Sequence, residues 1–101
     1  MIFDLLPIAI IDAYAHPNAE SDLAVFTNRY GLPSCTTSNG CFTRVGQTGT
    51  NTYPPNQNAS WALEANLDIQ WVHSIAPGAN ILYVEADTDD YNDLFTAVKY
   101  V

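Results

Sequence analysis

Basic side chains are almost missing from this chain. Arg29, Arg44 and Lys99 stand alone against eleven acids, for a net charge of −8 over 101 residues. Such a surface repels a phosphate backbone, so nucleic acid and anionic membrane surfaces are poor partners. Charge of either sign is scarce at 14% of residues. That is little for a surface that must stay soluble alone, so part of it is expected to be covered by more chain. No apolar run is long enough to span a bilayer. No glycine precedes Gly31, so no glycine-rich loop follows the first apolar run, which places a small nucleotide-binding α/β domain well below the other readings. Cysteine occurs twice, with no histidine beside either one, which leaves no zinc-type ligand set. The opening MIFDLLP lacks the basic region and cleavage site of a signal peptide, so an export signal is expected upstream of it.

What is present bounds the class. Apolar residues make up 48% of the chain, too many for a disordered segment. The length allows one small domain whose core has little margin. The acidic balance suits a protein that works in acid, where many carboxyls become neutral. Cys35 and Cys41 flank Thr-Thr-Ser-Asn-Gly. The spacing fits a small disulfide-closed loop formed in an oxidising compartment, against the alternative of two free thiols in a reducing one. Asn58-Ala59-Ser60 is a glycosylation sequon, or simply a tripeptide at a helix start.

Along the chain, IAIIDAY over 8–14 reads as a short buried strand ending near an acid. His16-Pro17-Asn18 breaks it, and Asn18 is expected to cap a helix over 19–30 with Glu20 and Asp22 in its first turn. Leu23, Phe26 and Tyr30 form the expected core stripe, and Gly31 and Pro33 the stop. A second strand is predicted over 41–47, then a polar loop over 48–58, then a helix over 60–74. Pro77-Gly78 separate that helix from a strand over 80–85. Thr88 or Asp89 then caps a helix through Leu94, Val98 and Val101. Strand and helix alternate three times, which argues for an α/β layer structure with parallel strands and right-handed crossover helices. The last helix shows no stop signal, so the domain is expected to continue beyond it.

The second helix carries the candidate chemistry. With about 100° per residue, Asp68 falls roughly 40° from Glu64, while Asn66, Gln70 and His73 cluster on the opposite side as the expected solvent face. Trp61, Trp71, Val72 and Ile75 then surround the acidic pair. Two carboxyls on an apolar face lose hydration and repel, and sharing a proton relieves both costs. Carboxyls with separated pKa values are what acid/base catalysis at low pH requires. The plain alternative is a solvated i, i+4 pair on a helix rim. Asp12 ends the first strand, where open α/β sheets place functional groups. It can equally be a polar strand terminus, and Glu85 and Asp87 after the third strand are equally ambiguous. His16 reads as a loop residue and His73 as a surface one.

Four segments, IAIIDAY, HPNAESDLAVFTNRYGLPSC, WALEANLDIQW and IAPGANILYVEA, together resemble the sedolisins, the serine-carboxyl peptidases. The likeness runs over 8–101, and its most specific element is Glu64-x-x-x-Asp68 followed by Ile-Ala-Pro-Gly-Ala at 75–79. The resemblance implies a subtilisin-like fold, here reduced to its first three strands, with spatial order second, third, first. It implies that Glu64 is the general base toward a serine, that Asp68 orients and polarises Glu64, and that Asp12 extends the proton relay. The family's Gly-Thr-Ser segment with the nucleophile is not in this sequence, nor are the oxyanion aspartate and the calcium site, which belong to later regions of the family domain. No metal or cofactor is therefore expected within this chain. The expectation is the N-terminal portion of a secreted acid endopeptidase, inactive alone, whose partners are a protein or peptide substrate and the rest of the catalytic domain. The alternative is a non-catalytic binding or interaction domain on the same scaffold.

Overall fold

The computed structural model describes residues 7–101. Residues 1–6, read above for a signal peptide, lie outside the described residues. Three strands and three helices alternate: β1 (Ile8–Ala13), α1 (Ala19–Tyr30), β2 (Phe42–Gly46), α2 (Ala59–Ile75), β3 (Ile81–Ala86) and α3 (Tyr91–Tyr100). The strands form one parallel sheet in the order β1-β3-β2, the expected second-third-first arrangement. Every boundary falls within about three residues of the sequence expectation.

The register explains how short apolar strands build two core layers. Ile10 pairs with Tyr83 and Asp12 with Glu85, while Phe42 pairs with Ile81 and Arg44 with Tyr83. Side chains alternate faces along a strand, so Ile10, Asp12, Ile81, Tyr83, Glu85, Phe42 and Arg44 share one face. Their apolar members pack with Ala19 and Leu23 of α1, Ala65 and Ile69 of α2, and Cys35. The other face joins Val45, Val84 and Ala86 to Ala97 of α3. Burying a side chain such as Leu23 or Ile69 fully contributes roughly 2 kcal/mol.

One topological expectation fails. The chain moves from β1 across to β2 and then back to β3, yet α1 and α2 pack on the same sheet face. Two crossovers that run in opposite directions over one face must have opposite hands. One of them is therefore left-handed, against the right-handed form found in about 98% of such units. The long segment between β2 and α2 relaxes the steric preference, which is strongest when strand and helix are joined tightly. That segment is not loose. Gly46 N–H donates to Thr50 O at 2.7 Å and Gly49 N–H to Gly46 O at 3.0 Å. Gly49 has φ +80° and lies against the Tyr100 ring, where a Cβ would collide. Further on, Gln57 bridges to Ala15, beside the end of β1.

The helix ends differ from expectation in detail. Asn18 supplies no side-chain cap, although its carbonyl accepts from Asp22 N–H and Ser21 Oγ–H. Asp90, not Thr88 or Asp89, stands at the α3 N-terminus, also without a side-chain cap bond. Asn58 is a true cap, its Oδ1 accepting from Trp61 N–H at 3.0 Å, so the sequon asparagine has a structural role. Gly31 takes φ +66° and ends α1 by donating to Thr27 O. Along α1 the buried residues are Ala19, Leu23 and Thr27, whereas Tyr30 of the expected stripe is 62% exposed. The helix rotates to bring its small residues against the sheet, and the ring of Tyr30 stacks outside against Phe26 at 4.9 Å.

Cys35 and Cys41 form the expected disulfide. Cys35 is buried in the α1–α2 layer, so the bond fixes the chain's entry into β2. A bridge six residues apart in sequence restricts the unfolded chain by about 2 kcal/mol. The double replacement Cys35→Ser, Cys41→Ser is expected to lower unfolding free energy by that order. Urea titration of the oxidised wild type beside the cysteine-free variant measures it, and equal midpoints would show that the loop is held by packing alone.

Candidate functional site

Parallel strands point their carboxyl ends to one edge of the sheet, and the acidic cluster lies there. Asp12 is the penultimate residue of β1 and only 3% exposed. On the same sheet face, α2 brings Asp68, half-buried, and Glu64, exposed, toward it. The Asp12 carboxyl is pushed up to about 8. Burial is the main cause, followed by the Asp68 carboxyl, close enough to hydrogen-bond, and then by the negative charge of Glu64. Two carboxyls can bond only if one holds a proton. Asp12 thus stands beside the two acids of α2, with Asp68 acting on it more strongly than Glu64. Glu64 opens onto a shallow groove of about 270 Å³ beside Ser60 and Trp61. The row grades in burial from Asp12 through the half-buried Asp68 to the exposed Glu64.

The buried and exposed faces of α2 differ from the helix-wheel expectation. Its sheet-facing residues are Ala65, Ile69 and His73, and its outer face shows Leu63, Leu67, Trp71 and Ile75, the last 74% exposed. Asn66 and His73 turn inward, each to at least one hydrogen-bond partner. His73, expected at the surface, is fully buried, with Nε2 2.8 Å from Pro33 O. Asn66 donates through Nδ2 to Asp22 Oδ2 at 2.9 Å, and its Oδ1 faces His16 Nε2 at 2.8 Å. His16 lies in the β1–α1 turn as expected, but buried. This bridge couples α1, α2 and that turn. A groove of about 460 Å³ between Phe26, Tyr30, Leu67 and Trp71 does not touch the carboxyl cluster.

Glu85 is the residue that sequence reasoning left without a partner. Its carboxylate is fully buried and takes Arg44 side-on, with Nε to Oε2 at 2.9 Å and Nη2 to Oε1 at 2.8 Å. The His16 backbone N–H adds a third bond to Oε2 at 2.7 Å. Arg44 also stacks on Tyr53, its guanidinium carbon 3.8 Å from the ring centroid. The signal was available: an acid inside an apolar strand needs a counter-charge, and Arg44 alone of the three basic residues lies in a strand. Glu85 holds the turn that leaves β1, where Tyr14 adopts φ +69°, a costly conformation for a residue with a side chain. Tyr14 N–H donates to Ala86 O at 2.8 Å and its hydroxyl to Asp89 at 3.1 Å. That bond raises the Tyr14 pKa above its ordinary value. Asp87 donates its N–H to Gln47 Oε1 at 2.8 Å, and the structure brings its carboxyl to no partner in the site.

Among the described residues no three His, Cys, Asp or Glu side chains are grouped to hold a metal ion, and no helix is long and apolar enough to cross a membrane. Comparison with known proteins finds no matching family model, no matching curated protein and no matching solved structure.

Two measurements follow from this geometry. A carboxyl whose folded pKa is raised stabilises the fold fully below its unfolded value, near 4, and that stability is lost as pH rises toward about 8. Unfolding free energy should therefore fall between those limits, and Asp12→Asn should flatten the decline; an equally steep decline in the variant would exclude Asp12 as its cause. Arg44→Met leaves the Glu85 carboxylate buried and unpaired, which should cost about 3–5 kcal/mol in urea unfolding. Adding Glu85→Leu should recover part of that loss, since it removes the orphaned charge.

Proposed function

We propose that this chain is the N-terminal portion of the catalytic domain of a secreted, acid-acting serine endopeptidase of the sedolisin kind, built on a subtilisin-like sheet. The observation that carries the reading is the graded carboxyl row at the strand ends: Asp12 buried against Asp68, with Glu64 open to a groove. A serine hydroxyl brought to that groove would meet Glu64 as general base. Glu64 takes the proton as the oxygen attacks a peptide carbonyl, and an acyl-enzyme forms that water then releases. Asp68 orients Glu64, and Asp12 keeps a proton available behind it. A carboxyl base remains ionised in acid, where an imidazole would be protonated and unable to accept. The disulfide, the acidic surface and the motif order of the sequence support the same reading.

A second reading is favoured by one observation. The outer face of α2 presents Leu63, Leu67, Trp71 and Ile75 to solvent, as a module that binds another protein would. Both readings call for something to cover that face, and only the first calls for a serine.

Catalysis needs a nucleophile, a base and a group to hold the oxyanion. The 101-residue chain is therefore expected to hydrolyse no peptide at any pH. A longer product of the same gene that includes a Gly-Thr-Ser segment should cleave an unfolded protein substrate, fastest in acid. In that protein Glu64→Gln should remove turnover and leave the fold intact, since the amide is nearly isosteric but cannot accept the proton. Cleavage by the short chain, or full activity in the variant, would overturn the assigned roles.

A further inference from the structure

Burial alone does not choose the rotation of α2. The helix is apolar toward the sheet, through Ala65 and Ile69, and apolar again outside, through Leu63, Leu67, Trp71 and Ile75. A helix with apolar side chains all round has more than one arc that it could bury. What is particular to the observed rotation is a set of directed hydrogen bonds. Asn66 Nδ2 donates to Asp22 Oδ2 of α1 at 2.9 Å, and Asn66 Oδ1 lies 2.8 Å from His16 Nε2. An Asp22 carboxylate only accepts, so the Asn66 amide has one orientation, nitrogen to Asp22 and oxygen to His16. His16 Nε2 therefore carries the ring proton and donates it. The same nitrogen lies 3.5 Å from Asp22 Oδ2, which closes the three side chains into a triangle. His16 is itself anchored, its backbone N–H donating to the buried Glu85 Oε2 at 2.7 Å. Seven residues along α2, and so on nearly the same stripe, His73 Nε2 meets Pro33 O at 2.8 Å.

We infer that Asn66 is a positioning residue for the acidic row: bonded to His16 and Asp22 on one flank of α2, it fixes the rotation that sets Asp68 and Glu64 beside Asp12 on the other. At about 100° per residue, Asn66 stands roughly 160° around the helix from each of those two acids. Pinning one flank therefore sets the other. A turn of about 20° carries a side chain at the ~6 Å radius of a helix through about 2 Å, enough to break a hydrogen bond. Asn66 touches neither acid and moves no proton. His16 ties it to Glu85 on the central strand, so the row is referenced to the sheet and not to α1 alone. The inference rests on the proposed carboxyl row for its use in catalysis, but the effect on Asp12 needs no serine.

Carbon-detected NMR of the intact 101-residue chain tests it, with the Asp12 carboxyl followed from acid to alkaline pH. Asp12 reports on the row because Asp68 and Glu64 both raise its proton affinity. Asn66→Leu removes both bonds and leaves α2 free to turn. The Asp12 midpoint should then fall by about one pH unit or more, a tenfold loss of proton affinity. Asp22→Asn keeps an oxygen for Asn66 Nδ2 and should hold the midpoint near its wild-type position. An unchanged midpoint in Asn66→Leu, or an equal fall in Asp22→Asn, would overturn the inference. A merely structural role would lower stability in urea and leave the titration where it was. Wild-type protein gives an independent reading should Asn66→Leu not fold. Nitrogen spectra of His16 at alkaline pH should show the neutral ring protonated at Nε2. A ring protonated at Nδ1 has no donor for Asn66 and would equally overturn it. Neither reading depends on whether a longer protein cleaves peptides, so the two proposals can fail separately.

Discussion

Taking the Glu85 carboxylate out of water at the end of the central strand costs several kcal/mol, and the three N–H donors that offset this cost organise the whole carboxyl edge of the sheet. Two come from Arg44 on β2 and one from the turn that follows β1. The middle strand therefore grips both neighbours by a side chain as well as by its backbone ladder. Arg44 is fixed in turn by the Tyr53 ring, which draws the segment after β2 over the pair. The left-handed backbone of Tyr14 persists because this grip and the Ala86 carbonyl hold the residues around it. Asp12 precedes that turn by one residue, so its position is fixed by the same contacts.

The order and type of the elements were legible because local signals were strong. IAIIDA and ILYVEA are short, β-branched and apolar; Asn58 caps and Gly31 stops where their side chains, or the lack of one, require. The side-chain directions of α2 were not legible. A hydrophobic wheel assumes that polar residues seek water, but Asn66 is bonded inside the protein to His16 and Asp22, and His73 to Pro33 through Nε2 while its Nδ1 stays buried without a partner. Two apolar arcs then competed for the sheet. The smaller one, with Ala65 and Ile69, fits close against β1 and β3, and the bulkier one, with Leu67 and Trp71, was left outside. Asp68 nevertheless acts on Asp12, since rotating the helix about its axis leaves residue 68 at the same height along it.

The candidate site divides in the same manner. Glu64, Asp68 and Asp12 could be named from spacing and strand position, because each depends on local sequence. Glu85, Arg44 and His16 could not be joined to them without the register of three strands that are far apart in the chain. The hand of the crossovers is a similar case. General rules of chain connection favour one answer, and the reversal comes from two helices sharing a face, which no single segment encodes.

Trp61 and Trp71 stand on one helix in unlike surroundings. Trp61 is half-buried beside Glu64, and Trp71 is 60% exposed on the outer arc. Indole emission shifts to shorter wavelength as water is removed from the ring, so the two residues report separately on the two sides of α2. The helix at the centre of the proposed chemistry thus carries its own optical readout: colour from Trp71 records when its outer face is covered, and quenching of Trp61 records events in the groove beside Glu64.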